Sequence, residues 1–222
     1  MSASYAIGID LGTTHCALAY IDLDLSEGES LAHHTLDIPQ VVSPGEVEDK
    51  SLLPSFVYLP HPDELSAGAG ALPWNPTPAA IVGTLARRLG GKTPGRCVSS
   101  AKSWLSHSGV DRSGAILPVD APDDTRRISP VEASTQYLKH LREAWEYKHP
   151  DAPLAEQRVV LTVPASFDPS AREFTLEAAR AAGFGEPVLL EEPQAALYAW
   201  IANTFGSEEG WRDQLKLGDV LL

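Results

Sequence analysis

Asp10, Gly12, Thr13 and Thr14 stand together where an apolar run ends, in the stretch IGIDLGTTHCALAY at 7–20. Gly12 lets backbone approach a ligand with no Cβ in the way, and successive turn N–H groups can converge on an anion. Thr13 and Thr14 add hydroxyl donors suited to phosphate oxygens. A carboxylate cannot itself attract phosphate, so Asp10 makes chemical sense beside such a site as a holder of Mg²⁺ through waters. The competing reading of the same residues is a plain hairpin with one glycine and two threonines.

A second set of acids, Glu191-Glu192-Pro193, opens a helix directly after an apolar strand. A carboxylate there is ordinarily a cap worth about 0.3–1 kcal/mol. At the strand ends where α/β proteins bind ligands, it is equally a candidate to hold a metal-bound water or act as a general base. Lys102 sits among Ala101, Trp104 and Leu105, within the one basic tract of the chain. Between Glu64 and Asp111 no acid occurs, whereas Arg87, Arg88, Lys92, Arg96 and Lys102 all do. One unit charge pair at 4 Å near a protein surface is worth about 4 kcal/mol, so the tract could receive polyphosphate. Otherwise its arginines form a solvated face and Lys102 is one more surface lysine.

Several chemistries are set aside. Gly90-Gly91-Lys92-Thr93 imitates the end of a Walker A loop, but Ala86 stands where that loop needs its first glycine. The residues before it also read as helix, whereas a phosphate loop follows a strand. Two distant cysteines, Cys16 and Cys97, cannot build a disulfide framework or a four-thiolate zinc site, and the seven histidines show no metal spacing. No Ser-His-Asp arrangement can be argued.

The elements that must position these residues follow from pattern. Residues 5–11 and 16–21 read as two apolar strands joined at the Gly12-Thr13-Thr14 turn, with further edge strands around 35–42. From 51 to 129 proline and glycine are frequent; 56–59 reads as a strand, 79–89 and 98–105 as helices, 118–129 as loop. Ser129-Pro130-Val131-Glu132 fits a capping box, opening a helix that runs to about Tyr147. Residues 158–163 form a buried strand, and Asp168-Pro169 starts a helix with the stripe Ala171, Phe174, Ala178, Ala181, closed by Gly183. Residues 188–190 make a third core strand, and the alanine-rich helix opened by Glu192 ends near Gly206. Strand–helix alternation in the last third implies an α/β layer, with the middle region inserted as its own lobe.

Composition bounds the rest. At 222 residues, 43% hydrophobic and 21% charged, the chain has the makings of a packed core and is not disordered. A formal net charge of −13 works against binding nucleic acid or anionic membranes. No apolar run reaches the roughly eighteen residues of a membrane span. Nothing before Asp10 resembles a basic leader or signal core, and with two distant cysteines the cytoplasm is the expectation; a monomer is the default. Residues 216–222 read as a turn launching a strand that stops early, the pattern expected of a chain cut from a longer one.

Taken together, IGIDLGTTHCALAY at 7–20, AKSWL at 101–105, VVLTVPASFDPSAREFTLEAARAAGF at 159–184 and LLEEPQAALYAW at 189–200 resemble the 70-kilodalton heat-shock chaperone family, DnaK type. DLGTT alone also opens sugar kinases of the same superfamily; the TVPASF…EEPQAA pair is more specific to the chaperones. The resemblance implies the first lobe of an actin-like (ribonuclease H-like) ATPase, an α/β fold with a mixed sheet, flanking helices and a smaller inserted subdomain. It implies a larger subdomain of 1–43 with 129–222 and a smaller one of 44–128, with the second lobe and peptide-binding domain absent.

By the same resemblance, Asp10 lies near Mg²⁺ and Gly12, Thr13 and Thr14 form the first phosphate loop of an ATP site. Lys102 orients the attacking water and γ-phosphate, and Glu192 is the acid at the cleft. Pro164 and Arg172 form a pair that relays nucleotide state. Client peptides and co-chaperones would bind through the missing parts, and the lobe alone would hold nucleotide weakly or not at all. The alternatives are a sugar kinase and a non-catalytic interaction module. Departures from the family fall at Ser166 (usually aromatic), Gln194 (usually threonine) and Glu191 (commonly asparagine), and residues 60–97 match poorly.

Overall fold

The computed structural model describes residues 3–24, 32–205 and 216. The proposed strand at 216–222 therefore lies outside the described residues, apart from Lys216.

The chain opens with β1 (Tyr5–Leu11) and β2 (His15–Asp22), an antiparallel hairpin in full register from Tyr5↔Asp22 to Leu11↔Cys16. Short strands follow: β3 (His34–Thr35), β4 (Ile38–Ser43), β5 (Glu46–Lys50), β6 (Leu53–Pro54), β7 (Phe56–Tyr58) and β8 (Ile81–Val82). Helix α1 (Thr84–Gly90), β9 (Cys97–Ser99) and α2 (Ala101–Leu105) complete the middle region. The last third is α3 (Pro130–Lys148), β10 (Arg158–Val163), α4 (Pro169–Ala181), β11 (Val188–Glu191) and α5 (Glu192–Phe205).

The main sheet runs β11-β10-β1-β2-β3, with β6 also pairing β2. β1, β10 and β11 are mutually parallel, so their carboxyl ends share one edge. Alternation separates the faces of β1: Ile7, Ile9 and Leu11 are buried while Gly8 and Asp10 are exposed. β10 follows suit, burying Val159, Leu161 and Val163. The buried side packs in the same core as Tyr137, Leu138, Leu141 and Trp145 of α3 and Ala171 and Ala178 of α4. The opposite face, carrying Asp10, stays open.

Local chemistry explains most boundaries. Ser129 Oγ accepts from Glu132 N–H at 3.0 Å, one arm of the expected capping box. The return arm is missing because the Glu132 carboxylate turns to Arg126 instead. Asp168 caps α4 by accepting from Ala171 N–H at 2.7 Å, and its carboxyl is held below the usual range by that bond and by Arg112.

Four expectations are corrected. The helix expected over 79–89 begins only at α1, because Ile81–Val82 pairs with β7 and Gly83, at φ +85°, breaks the path between them. The helix expected over 98–105 is split: Cys97–Ser99 is a strand against β7, and the left-handed Ser100 (φ 54°) precedes α2. In α4 the buried stripe takes Thr175 and Ala179 while Ala181 is exposed, since the Thr175 hydroxyl is satisfied by the Ala171 carbonyl at 2.8 Å. β11 is an edge strand and not a core one, with Val188 62% exposed.

Candidate functional site at the sheet edge

The carboxyl ends of β1, β10 and β11 align by register: Asp10 opposite Thr162, and Val163 opposite Glu191. Pairing thus brings Asp10, Pro164 and the Glu191-Glu192 junction to one edge of the sheet, where α/β folds present ligands with loop N–H groups and helix starts.

The β1–β2 turn is tightly built. A Cβ on Gly12 would meet the His15 carbonyl oxygen at 2.1 Å, so only glycine fits. Ser55, at the β6–β7 junction, donates its hydroxyl to the Gly12 carbonyl at 2.7 Å, and its N–H goes to the Thr14 carbonyl at 2.9 Å. Ser55 fastens the turn from beneath, leaving Thr13 and Thr14 exposed. The Tyr137 hydroxyl, from α3, donates to the Ser55 carbonyl at 2.9 Å, tying the support to the core. Cys16, fully buried, lies 3.4 Å from Ser55 Oγ; burial pushes its thiol up to about 12.

Asp10 stands on the open face and accepts from the Thr162 hydroxyl at 3.0 Å. Lys102 is 7% exposed, and its ammonium pairs with the Glu192 carboxylate, a residue 90 positions away in sequence. Glu192 directly follows β11, whose end lies at the sheet edge that also carries Asp10, so the pair sits at that edge. Lys102 is therefore not a surface lysine.

The other cations of the basic tract go elsewhere. Arg88 bonds the Val42 carbonyl and Ser43 hydroxyl, Arg96 pairs with Asp124 at 2.6 Å, and Arg87 and Lys92 are exposed. The expected polyphosphate-receiving tract reduces to one lysine. The Gly90-Gly91-Lys92-Thr93 sequence is the end of α1, with Gly91 N–H bonded to Arg87 O, as expected of a helix cap.

Pro164 and Arg172 connect through Phe167: the Pro164 carbonyl accepts from Phe167 N–H at 3.1 Å, and the Phe167 carbonyl accepts from Arg172 Nε at 3.1 Å. Arg172 also donates to Glu191 at 2.7 Å. Consecutive glutamates thus hold one cation each, Arg172 of α4 and Lys102 of α2. Ser166 and Gln194 are exposed.

Sequence reasoning missed Ser55 and Thr162. Ser55 offered no signal, since a serine between apolar residues is ordinary; Thr162 could have been found by aligning the two parallel strands at their ends.

Comparison with known proteins decides the family. The family model described as Hsp70 protein matches residues 6–203. The chain belongs to the Hsp70 family. The actin-like ATPase fold of Hsp70 accounts for the mixed α/β sheet and its flanking helices. The chain is 31% identical over 204 residues to a chaperone protein HscA homolog of Bordetella pertussis, and 33% identical over 216 residues to one of Methylococcus capsulatus. A third HscA homolog, of Acidithiobacillus ferrooxidans, is 33% identical over 207 residues. Each alignment covers 88% of this chain but 28% of the relative, so the chain spans about 28% of the length of these Hsp70 chaperones.

Proposed function

We propose that the whole protein is an ATP-dependent chaperone that hydrolyses ATP to ADP and phosphate, with this chain supplying one wall of the nucleotide cleft. The observation that carries the reading is the pairing of Lys102 with Glu192 at the sheet edge that also carries Asp10, three segments that sequence alone could only nominate separately. The Hsp70 match favours this reading over a sugar kinase or a non-catalytic module.

In this proposal the N–H groups and hydroxyls of Gly12, Thr13 and Thr14 cradle the β- and γ-phosphoryl oxygens. The donor set suits Mg²⁺, since Asp10, Glu192, Thr13 and Thr14 offer the oxygen atoms a hard cation and its waters take. An ion sharing one or two carboxylates with phosphate and water matches that arrangement. Asp10 and Glu192 would hold it through waters, and the ion would neutralise charge developing on the phosphoryl oxygens. Lys102 exchanges its Glu192 partner for the γ-phosphoryl group and orients the attacking water. Its fixed charge suits a reaction governed by positioning and electrostatics. Pro164 and Arg172 relay nucleotide state, with the Glu191 pair as an added restraint on Arg172.

We also propose 1–43 with 129–222 as a larger subdomain and 44–128 as a smaller one. The separate buried cluster of Val41, Tyr58, Ile81, Leu85 and Ala86 supports a small unit, though Val41 and the pairing of β4 with β5 put its edge before residue 44. Client peptides and co-chaperones would engage the remainder of the protein, in the cytoplasm; no described helix is long and apolar enough to cross a membrane.

The test is Lys102→Ala in the complete protein. Turnover of ATP falls at least a hundredfold while ADP binding, measured calorimetrically, changes less than threefold. Wild-type turnover in the variant removes Lys102 from the site.

A further inference from the structure

A cavity of about 420 Å³ lies between the 59–82 segment, residues 124–128 and α3. That is within the roughly 300–1,000 Å³ of small-molecule sites. None of its lining residues belongs to the cleft at the sheet edge. Part of its wall is the proline-rich stretch of the middle region.

Its charges cancel. Arg96 pairs with Asp124, Arg126 with Glu132 and Lys139 with Glu143, three cations against three carboxylates. No cation is left over for a polyanion. Between these pairs apolar residues, Pro60, Pro62 and Pro78 beside Leu59, Ile81 and Ile128, alternate with the uncharged polar side chains of Asn75 and Gln136 and with His61 and His140.

One acceptor on the wall has no donor among the described residues. His140 of α3 is 4% exposed and lines the cavity. Its Nε2 lies 2.9 Å from the Pro39 carbonyl oxygen, so Nε2 carries the proton and donates. Burial holds the imidazole down to about 4, which keeps it neutral at pH 7. Nδ1 is then a lone-pair acceptor, and no described residue donates to it. Gln136, one helical turn earlier on the same face, also lines the cavity with no partner among the described residues. Behind the imidazole, the Trp74 indole packs edge-on at 5.5 Å, its own Nε1–H buried and unpartnered. A site lined this way rewards a hydrogen-bond donor and offers no surplus charge to hold an ion of net charge.

We propose that this cavity binds a small molecule of zero net charge, combining an apolar body with an N–H or O–H donor directed at His140 Nδ1. Uncharged amides and amino-acid zwitterions share that chemistry.

The test is ¹⁵N NMR titration of the chain with N-acetyl-L-prolinamide, L-proline and, as an anionic control, tripolyphosphate. At least one of the first two saturably shifts signals of 59–82 and α3 and moves the His140 Nδ1 resonance. Binding of the amide alone, or of the zwitterion alone, identifies which source of the chemistry the cavity takes. His140→Gln keeps a donor for the Pro39 carbonyl while deleting the acceptor, and weakens binding at least tenfold. Ala79→Trp, at an exposed position on the cavity wall, abolishes it without cutting into the core. The proposal is overturned by no binding of either net-uncharged probe, by binding that both variants leave intact, or by tripolyphosphate entering the cavity.

Discussion

Ser55 shows how much a single hydroxyl decides at the turn. Its Oγ satisfies the Gly12 carbonyl, its N–H satisfies Thr14, and its carbonyl receives Tyr137 from the helix below. Ser55→Ala leaves the Gly12 carbonyl without its partner, which costs about 1 kcal/mol given that Gly12 is partly solvated. Urea denaturation reads that loss as a lower midpoint at unchanged slope, and tripolyphosphate binding at the turn weakens with it. An unchanged midpoint would show that the turn holds its shape without Ser55. The candidate residues could be nominated from sequence because a glycine, two hydroxyls and an acid share one strand-end turn, although a plain hairpin has the same residues. Their support was not, because a buried serine carries its meaning only through the groups it touches.

At the scale of elements, α3 is the helix that ties distant segments of the chain together. Tyr137 reaches Ser55, His140 reaches the Pro39 carbonyl, and Trp145 donates to the Ala152 carbonyl at 2.7 Å. His140 gives the molecule a pH signature. Its folded pKa, about 4, lies below the ordinary value of 6.5, so the unfolded chain takes up the proton first. The stability contributed by neutral His140 is therefore intact above about pH 6.5 and is lost as pH falls toward 4, by about 3 kcal/mol over that window. Urea midpoints measured at pH 7 and pH 4.5 should separate for the wild type and draw together in His140→Gln. Equal separation in both would assign the acid sensitivity to other groups. Helix starts at Ser129 and Asp168 were readable from capping chemistry, which is local. The two misplaced helices of the middle region were not, because β7 recruits Ile81–Val82 and Cys97–Ser99 as strands, and strand pairing depends on partners distant in sequence.

For the whole molecule, the unusual surface is the β11–α5 side. Val188 is 62% and Tyr198 58% exposed, on an edge strand and on a helix that is apolar without a polar face. Such a surface binds hydrophobic dyes in the native state. Val188→Thr with Tyr198→Ser should lower 8-anilinonaphthalene-1-sulfonate fluorescence of the folded chain at least twofold, with the far-ultraviolet dichroism unchanged. Equal fluorescence in the variant would place the dye elsewhere. The same side carries Glu191 and Glu192, next to their ion pairs with Arg172 and Lys102.

The amino-acid sequence by itself determined the strands around Asp10, the caps of α3 and α4, and the nomination of Gly12, Thr13, Thr14 and Glu192, since each rests on spacing within a few residues. Tertiary structure alone decided that Lys102 belongs with Glu192 and that the neighbouring arginines do not. It also turned Glu191 toward Arg172 and put His140 on the wall of a cavity. Ion pairs and cavities join residues from distant segments, and no local pattern records which charge will find which partner once the sheet has set its register.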